Sequence, residues 1–313
     1  MTILSFIGLI LGTGLFIAGM NLLSSGLKRS GGRLKSALKK STSNTLRGVL
    51  AGAALTAAVQ SSSAVTVMLT GLADADLISP EECFGVIAGA NIGTTVTAWI
   101  LTFGQALPLS AEALFPLGII PGIILLFGND KKKSIGRAVI GFSTIMLAMA
   151  LMKNSAAPVA RNESFSNLLT AYDSPVLCVL TGALFTAVIQ SSSASTGILQ
   201  ALSISADIPL KTAVPIISGQ NIGTCATAVL SAAGTGKNAK RAALLHIMFN
   251  VFGTIIFLPL FFGIDFIFKP GFFSGAAAPA DIAAVHTAFN IISAAVLLPF
   301  KKLIIKLTQK AVR

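Results

Sequence analysis

Long apolar segments, separated by short polar and mostly basic loops, run along the whole chain. Seven of them have the roughly 17–25 residues that one bilayer crossing needs, and they cover about 3–27, 82–105, 112–128, 134–153, 211–234, 241–263 and 281–300. The first segment has neither a basic stretch before it nor a clear cleavage site of small residues, so we interpret it as a retained span and not as a signal peptide. The pattern predicts an all-α integral membrane protein of the cell membrane.

Two more apolar segments, about 46–75 and 174–204, are each split at the centre by Gln-Ser-Ser-Ser. Four polar side chains are too many for a lipid-facing helix, and each apolar half is too short to cross a bilayer alone. A helix that enters, turns and returns as a second helix solves both problems, provided that its loop is buried in protein or lines a cavity. We therefore predict two re-entrant helical hairpins, with two ordinary crossings as the alternative.

The two split segments are copies of each other. Residues 50–64 and 180–194 share 10 identities in 15 positions, and a second motif at the same offset of 130, residues 89–98 against 219–228, shares 7 in 10. One offset for two motifs indicates duplication of a whole unit. We predict two membrane repeats, residues 1–133 with hairpin 46–75 and residues 134–313 with hairpin 174–204 and an extra C-terminal span. The helix that carries Asn-Ile-Gly-Thr in each repeat is predicted to be broken, because glycine relaxes a helix and frees threonine and carbonyl oxygens.

The basic residues orient the predicted spans. If the N-terminus lies outside and both hairpins return to their side of entry, 19 of the 23 Lys and Arg residues fall in cytoplasmic loops, as the positive-inside rule requires. Three crossings then separate the first span from its counterpart near residue 134, and an odd number inverts the second repeat. The C-terminus is then cytoplasmic, and the two hairpin tips meet near the midplane from opposite sides. Duplicated, inverted and broken helices are typical of secondary transporters.

Composition and charge exclude several other classes. With 54% hydrophobic and 11% charged residues, the chain differs from soluble proteins, which average about 25% charged residues. Its net charge of +12 comes from basic residues between the apolar segments, so no nucleic-acid partner is expected. The three cysteines fit neither a disulfide framework nor a transition-metal site. The expected partners are ions and the lipid bilayer, and a homodimer is left open.

The hairpin tips are predicted to bind ions. The start of each second half-helix offers free N–H groups and a positive dipole end, which attract an anion, while hydroxyl oxygens can also accept toward a cation. Ligands that are all oxygen suit Na⁺ and not zinc or copper. No charged residue lies at the centre of a predicted span, whereas a proton-coupled carrier usually needs one. We therefore expect Na⁺ coupling and no cofactor.

Other interpretations of these residues stay open. Serine and threonine in membrane helices often only hydrogen-bond a neighbouring helix. His246 and His286 begin two copies of His-x-x-Phe-Asn, for which helix packing is the simplest role, and gating or an oligomer contact is the alternative. Neither histidine adjoins a Gln-Ser-Ser-Ser segment and no nucleophile-elbow pattern is present, so the chain is not expected to be an enzyme. A channel filter usually needs an oligomeric ring, so internal repeats favour a carrier.

These motifs resemble those of the type II sodium–phosphate cotransporter family over nearly the whole chain. The resemblance implies Na⁺-coupled uptake of inorganic phosphate by alternating access, with the substrate at the two hairpin tips. A channel or a carrier for sulfate or arsenate without Na⁺ coupling is the alternative. Carried over by motif, the phosphate-binding residues are Gln60, Ser61, Ser62, Ser63, Ser192 and Ser193. The Na⁺-binding residues are Gln190, Ser191, Asn221 and Thr224 and, by pseudo-symmetry, Asn91, Thr94 and Thr95.

The chain also departs from the family pattern. Cys225 stands where symmetry with Thr95 would place a threonine, which breaks the symmetry of the expected Na⁺ site. The aspartate associated with an additional Na⁺ in some animal members has no counterpart that can be placed, so stoichiometry, electrogenicity and the phosphate protonation state are left open. Many bacterial members carry a cytoplasmic regulatory domain; this chain ends at Arg313, and we expect either a short or a trimmed member.

Overall fold

The protein is helical throughout the residues that its structure, a computed structural model, describes, namely 3–27, 44–106, 111–160, 174–268, 273 and 275–312. Twelve helices lie in these ranges: α1 (Ile3–Leu27), α2 (Thr45–Val59), α3 (Ser62–Asp74), α4 (Pro80–Gln105), α5 (Ala111–Leu126), α6 (Asp130–Ala160), α7 (Pro175–Ile189), α8 (Ser192–Ala206), α9 (Leu210–Ala232), α10 (Lys237–Phe268), α11 (Pro279–Leu297) and α12 (Lys301–Ala311). The same ranges also contain one isolated antiparallel β-bridge, between Pro209 and Ala276.

Six of these helices, α1, α4, α6, α9, α10 and α11, are long and apolar enough to cross a membrane. The chain is therefore a multi-span membrane protein, as predicted. The seventh predicted crossing, 112–128, corresponds to α5, which has 16 residues and is shorter than these six helices, so its crossing stays a prediction. The helix ends early because Gly128 closes a turn, donating to the carbonyl of Leu125, and Asn129 then caps α6 through the amide of Lys132. At 1.5 Å per residue α5 is about 24 Å long, less than the roughly 30 Å of a hydrocarbon core.

The predicted breaks at both Gln-Ser-Ser-Ser segments are confirmed. α2 ends at Gln60 and α7 ends at Gln190, and these glutamines have left-handed backbones with φ of 56° and 58°. Ser61 and Ser191 then have extended backbones and start the next helices. A left-handed residue followed by an extended one turns the chain between the two short helices of each pair.

The predicted breaks at the Asn-Ile-Gly-Thr motifs are wrong, because α4 and α9 run through them without interruption. The hydroxyls of Thr94 and Thr224 donate to carbonyls one turn back, at Ala90 and Gln220, so these polar groups are satisfied without opening the helix. The glycines serve close packing instead. A Cβ at Gly93 would lie 2.4 Å from the carbonyl oxygen of Ala53 on α2.

The same close packing occurs in both halves of the chain. Glycines of α4 approach α2 at two levels, where Cβ atoms at Gly89 and Gly93 would lie 1.9 Å and 2.4 Å from the carbonyl oxygens of Val49 and Ala53. The residues 130 positions later repeat this, with Cβ distances of 2.0 Å for Gly219 to Val179 and 2.3 Å for Gly223 to Ala183. Contacts that advance in step along both helices show that α2 runs parallel to α4, and α7 parallel to α9.

Polar contacts define one end of the helix bundle, end A. Asn238 donates to Asp76 at 2.7 Å, the amide of Gly236 donates to Asp74 at 2.7 Å, and Gln309 donates to Glu81 at 2.9 Å. The ammonium of Lys301 also contacts the hydroxyl of Thr45. The start of α2, the end of α3, the start of α4 and the end of α9 therefore share end A.

The opposite end, end B, contains the end of α4, the end of α8 and the starts of α9 and α11. The hydroxyl of Thr102 donates to the carbonyl of Pro279 at 3.3 Å. Ala277 donates to Ile208 at 2.8 Å and Leu210 donates to Gly275 at 3.0 Å. Since α7 runs parallel to α9, which starts at end B, α7 also starts at end B.

The two His-x-x-Phe-Asn helices, α10 and α11, cross at the centre of the bundle. A Cβ at Gly253 of α10 would lie 2.5 Å from the hydroxyl oxygen of Ser293 of α11. Phe257 and Phe289 pack edge to face there, with ring centroids 5.4 Å apart. α10 and α11 therefore pack against each other beside this repeated motif, while the packing role of the motif itself stays a prediction.

Candidate functional site

The two Gln-Ser-Ser-Ser segments, 130 residues apart, meet inside the bundle. The hydroxyl of Ser63 donates to the backbone carbonyl of Gln190 at 3.3 Å. Two half-helices, α3 and α8, therefore begin at the same place although they come from opposite ends of the bundle. Because the first N–H groups of a helix lack partners within it, this meeting point collects hydrogen-bond donors and the positive ends of two helix dipoles.

The three serines of each segment have different local environments, and the division is the same in both copies. The first serine, Ser61 or Ser191, caps its half-helix by accepting from the amide of Ala64 or Ala194, each at 3.2 Å. The third serine bridges to other elements: Ser63 reaches Gln190, and Ser193 donates to Thr97 on α4 at 3.4 Å.

The second serine of each segment, Ser62 or Ser192, is 4% exposed. Its hydroxyl makes no hydrogen bond to any part of the chain that the structure describes. A buried hydroxyl without a protein partner at a helix start is available to a bound ligand, since burial without a hydrogen bond is costly. Ser62 and Ser192 are therefore the best-placed side chains of the site to contact an anion.

The two glutamines of the site are in unequal surroundings. Gln60 is 5% exposed and accepts from the hydroxyl of Thr97 at 2.7 Å, while its amide donates to the carbonyl of Ala57 at 2.5 Å. Gln190 has the same backbone geometry but an exposed side chain. Non-glycine residues with left-handed backbones are uncommon and cluster at functional sites. The glutamine side chain of the first tip is thus held by protein contacts, while that of the second tip is exposed.

The predicted Na⁺-binding residues of α4 and α9 are all buried beside these tips. The hydroxyl of Thr95 donates to Ile92 and the amide of Asn221 donates to Ile217, both within their own helices. Asn91 instead donates across to Asn250 of α10 at 2.8 Å. The hydroxyl and amide oxygens of these residues keep free lone pairs, so they can still accept toward a cation.

Sequence reasoning missed Thr97 and Asn250 as members of this site. Thr97 contacts both tips through Gln60 and Ser193. Asn250 accepts from Asn91 and donates to the sulfur of Cys225 at 3.2 Å, so it joins α4 and α9. A signal was present in each case, because Thr97 is one of the identities in the second repeated motif and Asn250 ends the first His-x-x-Phe-Asn. Cys225, which departs from the family pattern, accepts this hydrogen bond from Asn250.

The site is polar but carries no charged side chain. The residues described above supply hydroxyl and amide groups together with helix starts, and no group of three or more His, Cys, Asp or Glu residues suited to a metal ion occurs in the described ranges. Such a site can hold an anion by hydrogen bonds and helix dipoles. It can hold a hard monovalent cation through neutral oxygen ligands.

The profile of the Na⁺/Pi-cotransporter family matches residues 15–154 and 155–268 of the chain. The boundary between the two matched segments lies between the two Gln-Ser-Ser-Ser segments, so each match contains one copy. No solved structure has significant similarity to the chain.

Individual relatives cover the chain to different extents. The "Uncharacterized protein YqeW" of Bacillus subtilis is 30% identical over 310 residues, which are 97% of this chain and 96% of the relative. The "Putative inorganic phosphate export protein YjbB" of Salmonella typhimurium is 25% identical over 99% of this chain, which spans 56% of that relative. The human "Sodium-dependent phosphate transport protein 2B" is 39% identical over 96 residues, which are 29% of this chain and 13% of the relative.

Proposed function

Because the chain belongs to the Na⁺/Pi-cotransporter family, we propose that it is a secondary active transporter that couples Na⁺ to the uptake of inorganic phosphate. The observation that carries this proposal is the meeting of two Gln-Ser-Ser-Ser tips from opposite ends of the bundle. Each tip brings a helix start and one unused hydroxyl to a buried, uncharged site. An anion bound there bridges two elements that can move apart, which is what alternating access requires.

The membrane arrangement we propose has two inverted repeats with re-entrant hairpins. α2–α3 begins and ends at end A, α7–α8 begins and ends at end B, and the packing of each hairpin against its neighbouring span repeats at an offset of 130. Were 174–204 an ordinary crossing, five crossings would separate Asp76 from Asn238 and place them on opposite faces of the membrane, yet the two are 2.7 Å apart. This contact supports a hairpin.

The orientation we propose places end A in the cytoplasm of the cell and the N-terminus outside. End A carries a dense set of basic residues within the described ranges, namely Arg47, Lys237, Lys240, Arg241, Lys301, Lys302, Lys306 and Lys310. The positive-inside rule assigns such a face to the cytoplasm. The C-terminus is then cytoplasmic as well, and the second hairpin enters from outside.

Phosphate is proposed to bind between the two tips. Ser62 and Ser192 donate through their hydroxyls, and the first amides of α3 and α8 donate through the backbone. Ser61, Ser63 and Ser193 shape the site through the cap and bridge contacts described above. Gln60 lies beside them with its oxygen held by Thr97. No arginine or lysine is needed, because two helix dipoles and bound cations offset the charge of the anion.

Na⁺ is proposed to bind on the α4 and α9 side of the tips, next to phosphate. The ligands on the second repeat are Gln190, Ser191, Asn221 and Thr224, and those on the first repeat are Asn91, Thr94 and Thr95. All are neutral oxygen donors, which suit a weakly charged hard cation. A cation bound here makes the electrostatic free energy of anion binding more favourable. A bound anion has the same effect on cation binding, so binding of each ion favours binding of the other.

More than one direction of transport and more than one ion selectivity are compatible with this site. The name of the YjbB relatives describes phosphate export, whereas the shorter match to the human 2B protein carries a name that describes Na⁺-dependent phosphate transport. Phosphate efflux is therefore the second candidate function. A channel, or a carrier for sulfate or arsenate without Na⁺ coupling, is a further alternative that the same site chemistry permits.

Purified protein in liposomes separates these candidates. An inward Na⁺ gradient should drive accumulation of radiolabelled phosphate above its equilibrium level, with saturation in both ions, and excess arsenate or sulfate should report selectivity. Flux that follows only the phosphate gradient would indicate a channel or an uncoupled carrier. Accumulation driven by a proton gradient with no Na⁺ present would refute the coupling.

A further inference from the structure

In the described conformation, Thr97 connects both halves of the site. Its hydroxyl donates to the side chain of Gln60 at 2.7 Å and accepts from Ser193 at 3.4 Å. A third bond joins the tips directly, from the hydroxyl of Ser63 to the carbonyl of Gln190. Thr97 itself is 1% exposed. We call these three hydrogen bonds the Thr97 set.

The residues at an offset of 130 are present but make none of these bonds. Thr227, the counterpart of Thr97, is partly exposed and donates to the carbonyl of Thr224 within its own helix at 2.9 Å. Gln190, the counterpart of Gln60, has an exposed side chain. Exchanging each residue for its counterpart at the offset of 130 gives a second set of three bonds, the Thr227 set. In it, Thr227 donates to the side chain of Gln190 and Ser63 donates to Thr227. The third bond runs from the hydroxyl of Ser193 to the backbone carbonyl of Gln60.

The two sets exclude each other because a serine hydroxyl has one hydrogen to donate. Ser63 can donate to the carbonyl of Gln190 or to Thr227, but not to both, and Ser193 can donate to Thr97 or to the carbonyl of Gln60. The chain therefore encodes two alternative hydrogen-bond networks that use the same two serines. Both networks are internally consistent, and the structure adopts one of them.

We propose that the Thr97 set and the Thr227 set close the site in the two end states of transport. In the first state Thr97 holds the side chain of Gln60 and that of Gln190 is exposed; in the other state Thr227 holds the side chain of Gln190 and that of Gln60 is exposed. This inference rests on the proposed function as an alternating-access carrier. It makes Thr97 and Thr227 positioning residues that set the balance between the two states.

Cysteine labelling measures that balance without substrate. Ala194, directly after the second tip, is 1% exposed, whereas its counterpart Ala64 is partly exposed. The exchange should invert these exposures. The probes are Ala194→Cys and Ala64→Cys, each made separately in protein reconstituted into liposomes, with the rate of maleimide labelling as the readout. The three native cysteines are buried, and protein without an added cysteine gives the background.

Thr97→Val and Thr227→Val remove one hydroxyl each at nearly constant volume. Thr97→Val weakens only the Thr97 set, so labelling at position 194 should rise about three- to tenfold and labelling at position 64 should fall, given the strength of hydrogen bonds between membrane helices. Thr227→Val should change both rates in the opposite direction. Thr97→Ser keeps the hydroxyl and should restore the parent rates.

Changes of the same sign in both valine variants, or no change in either, would overturn the exchange. If Thr97→Val does not yield folded protein, Thr227→Val still tests it, because in the described conformation it loses only a bond within α9. Phosphate uptake by the parent protein is measured in parallel. Labelling as expected without Na⁺-driven uptake contradicts the transport function, whereas uptake without the labelling pattern contradicts only the exchange.

A second inference comes from α12 and is independent of transport. This helix has three distinct faces. The face toward α10 is buried and comprises Ile304, Ile305 and Thr308. The hydroxyl of Thr308 donates to the sulfur of Met248 on α10 at 3.1 Å. A second face is apolar and exposed, with Phe300, Leu303 and Leu307 at 57%, 56% and 40% exposure. The third face is basic and exposed, with Lys302, Lys306 and Lys310.

We infer that α12 lies in the membrane interface and binds anionic phospholipid headgroups. It sits at end A beside the ends of membrane-spanning helices, so its exposed apolar face continues their lipid-facing surface. An apolar face next to a row of lysines is the pattern of interfacial helices, and each lysine near an anionic surface adds attraction to it. The three lysines, spaced four residues apart on one face, match a layer of negative headgroups.

Fluorescence quenching tests the placement of α12. A fluorophore on Leu307→Cys should be quenched by lipids spin-labelled near the headgroup, and one on Gln309→Cys, on the polar side, should be quenched by a water-soluble agent. Replacing Lys302, Lys306 and Lys310 by Gln should reduce lipid quenching in bilayers with anionic lipid to the level seen in neutral bilayers. Protection of position 307 from both quenchers would show a protein partner instead and overturn the inference. Equal quenching of the lysine and glutamine forms would overturn its anionic part.

Discussion

At the residue scale, the three serines of each Gln-Ser-Ser-Ser segment divide the tasks of building a site. The first fixes the start of the half-helix, the third ties that start to another element, and the second is left buried with its hydroxyl unused among the described residues. A stretch of identical residues therefore has one member free for a ligand and two that hold it in place. Because the division is the same in both copies, it follows from the backbone geometry of the tip.

Substituting neighbouring serines separates these tasks. Ser62→Ala removes a hydroxyl that has no protein partner, so stability should be almost unchanged while phosphate affinity falls about 10- to 150-fold, the effect of losing a hydrogen bond to a charged group of about 1.5–3 kcal/mol. Ser61→Ala removes a cap and should reduce stability by about 0.5–2 kcal/mol. Phosphate titration and thermal unfolding of the purified variants measure both. Unchanged phosphate affinity in folded Ser62→Ala and Ser192→Ala would contradict the placement of phosphate.

At the element scale, a helix break could be predicted from the sequence where the residues that cause it are neighbours in the chain. Gln-Ser-Ser-Ser breaks its helix because it pairs a left-handed glutamine with a capping serine, and both features are local. Asn-Ile-Gly-Thr does not break its helix, because its glycines meet the backbone of a neighbour, and that neighbour is known only from the packing. The roles of Thr97 and Asn250 likewise depend on partners 37 and 159 residues away. Repetition identified these residues as significant, but only packing assigns their contacts.

Glycine substitutions test the packing of the hairpins on their neighbouring helices. A Cβ at Gly93 would lie 2.4 Å from the backbone oxygen of Ala53, which cannot move without shifting α2. Gly93→Ala should therefore lower stability by about 1–3 kcal/mol, as overpacking does. Gly71→Ala is the matched control in α3, where an added Cβ meets nothing within 4 Å and should be neutral or stabilising by about 0.5–1 kcal/mol. Equal thermal stability of the two purified variants would contradict the close approach of α4 to α2.

Asn250 and Asn290 offer a comparison of two equivalent positions in the His-x-x-Phe-Asn helices. Both are 0% exposed, but Asn250 bonds to α4 and α9, whereas Asn290 donates only to His286 in its own helix. Asn250→Leu should cost more stability than Asn290→Leu by about 1–2 kcal/mol, because it leaves the buried amide of Asn91 unpaired. Thermal unfolding of the two variants checks the difference, and an equal or reversed order would show that the contact between Asn91 and Asn250 contributes little.

At the scale of the whole molecule, the proposed arrangement of two hairpins that start from opposite ends accounts for the proposed mechanism. A single hairpin could bind an anion at its helix start, but it could not expose that anion to two sides in turn. Two hairpins related by inversion give two networks of similar composition, so neither closed state needs to be much more stable than the other. The absence of a charged residue from the tips is consistent with this, since a fixed charge on one tip would favour one state.

The inverted arrangement predicts that equivalent loops lie on opposite sides of the membrane. Asp76 and Asp207 each follow the second half of a hairpin, and both are exposed with left-handed backbones. A cysteine at position 207 should react with a membrane-impermeant maleimide in intact cells. A cysteine at position 76 should react only after permeabilisation, as should the control Lys132→Cys in the first turn of α6. If 46–75 and 174–204 were ordinary crossings, all three positions would lie outside with the same N-terminus, so labelling of positions 76 and 132 in intact cells would refute the inverted hairpins.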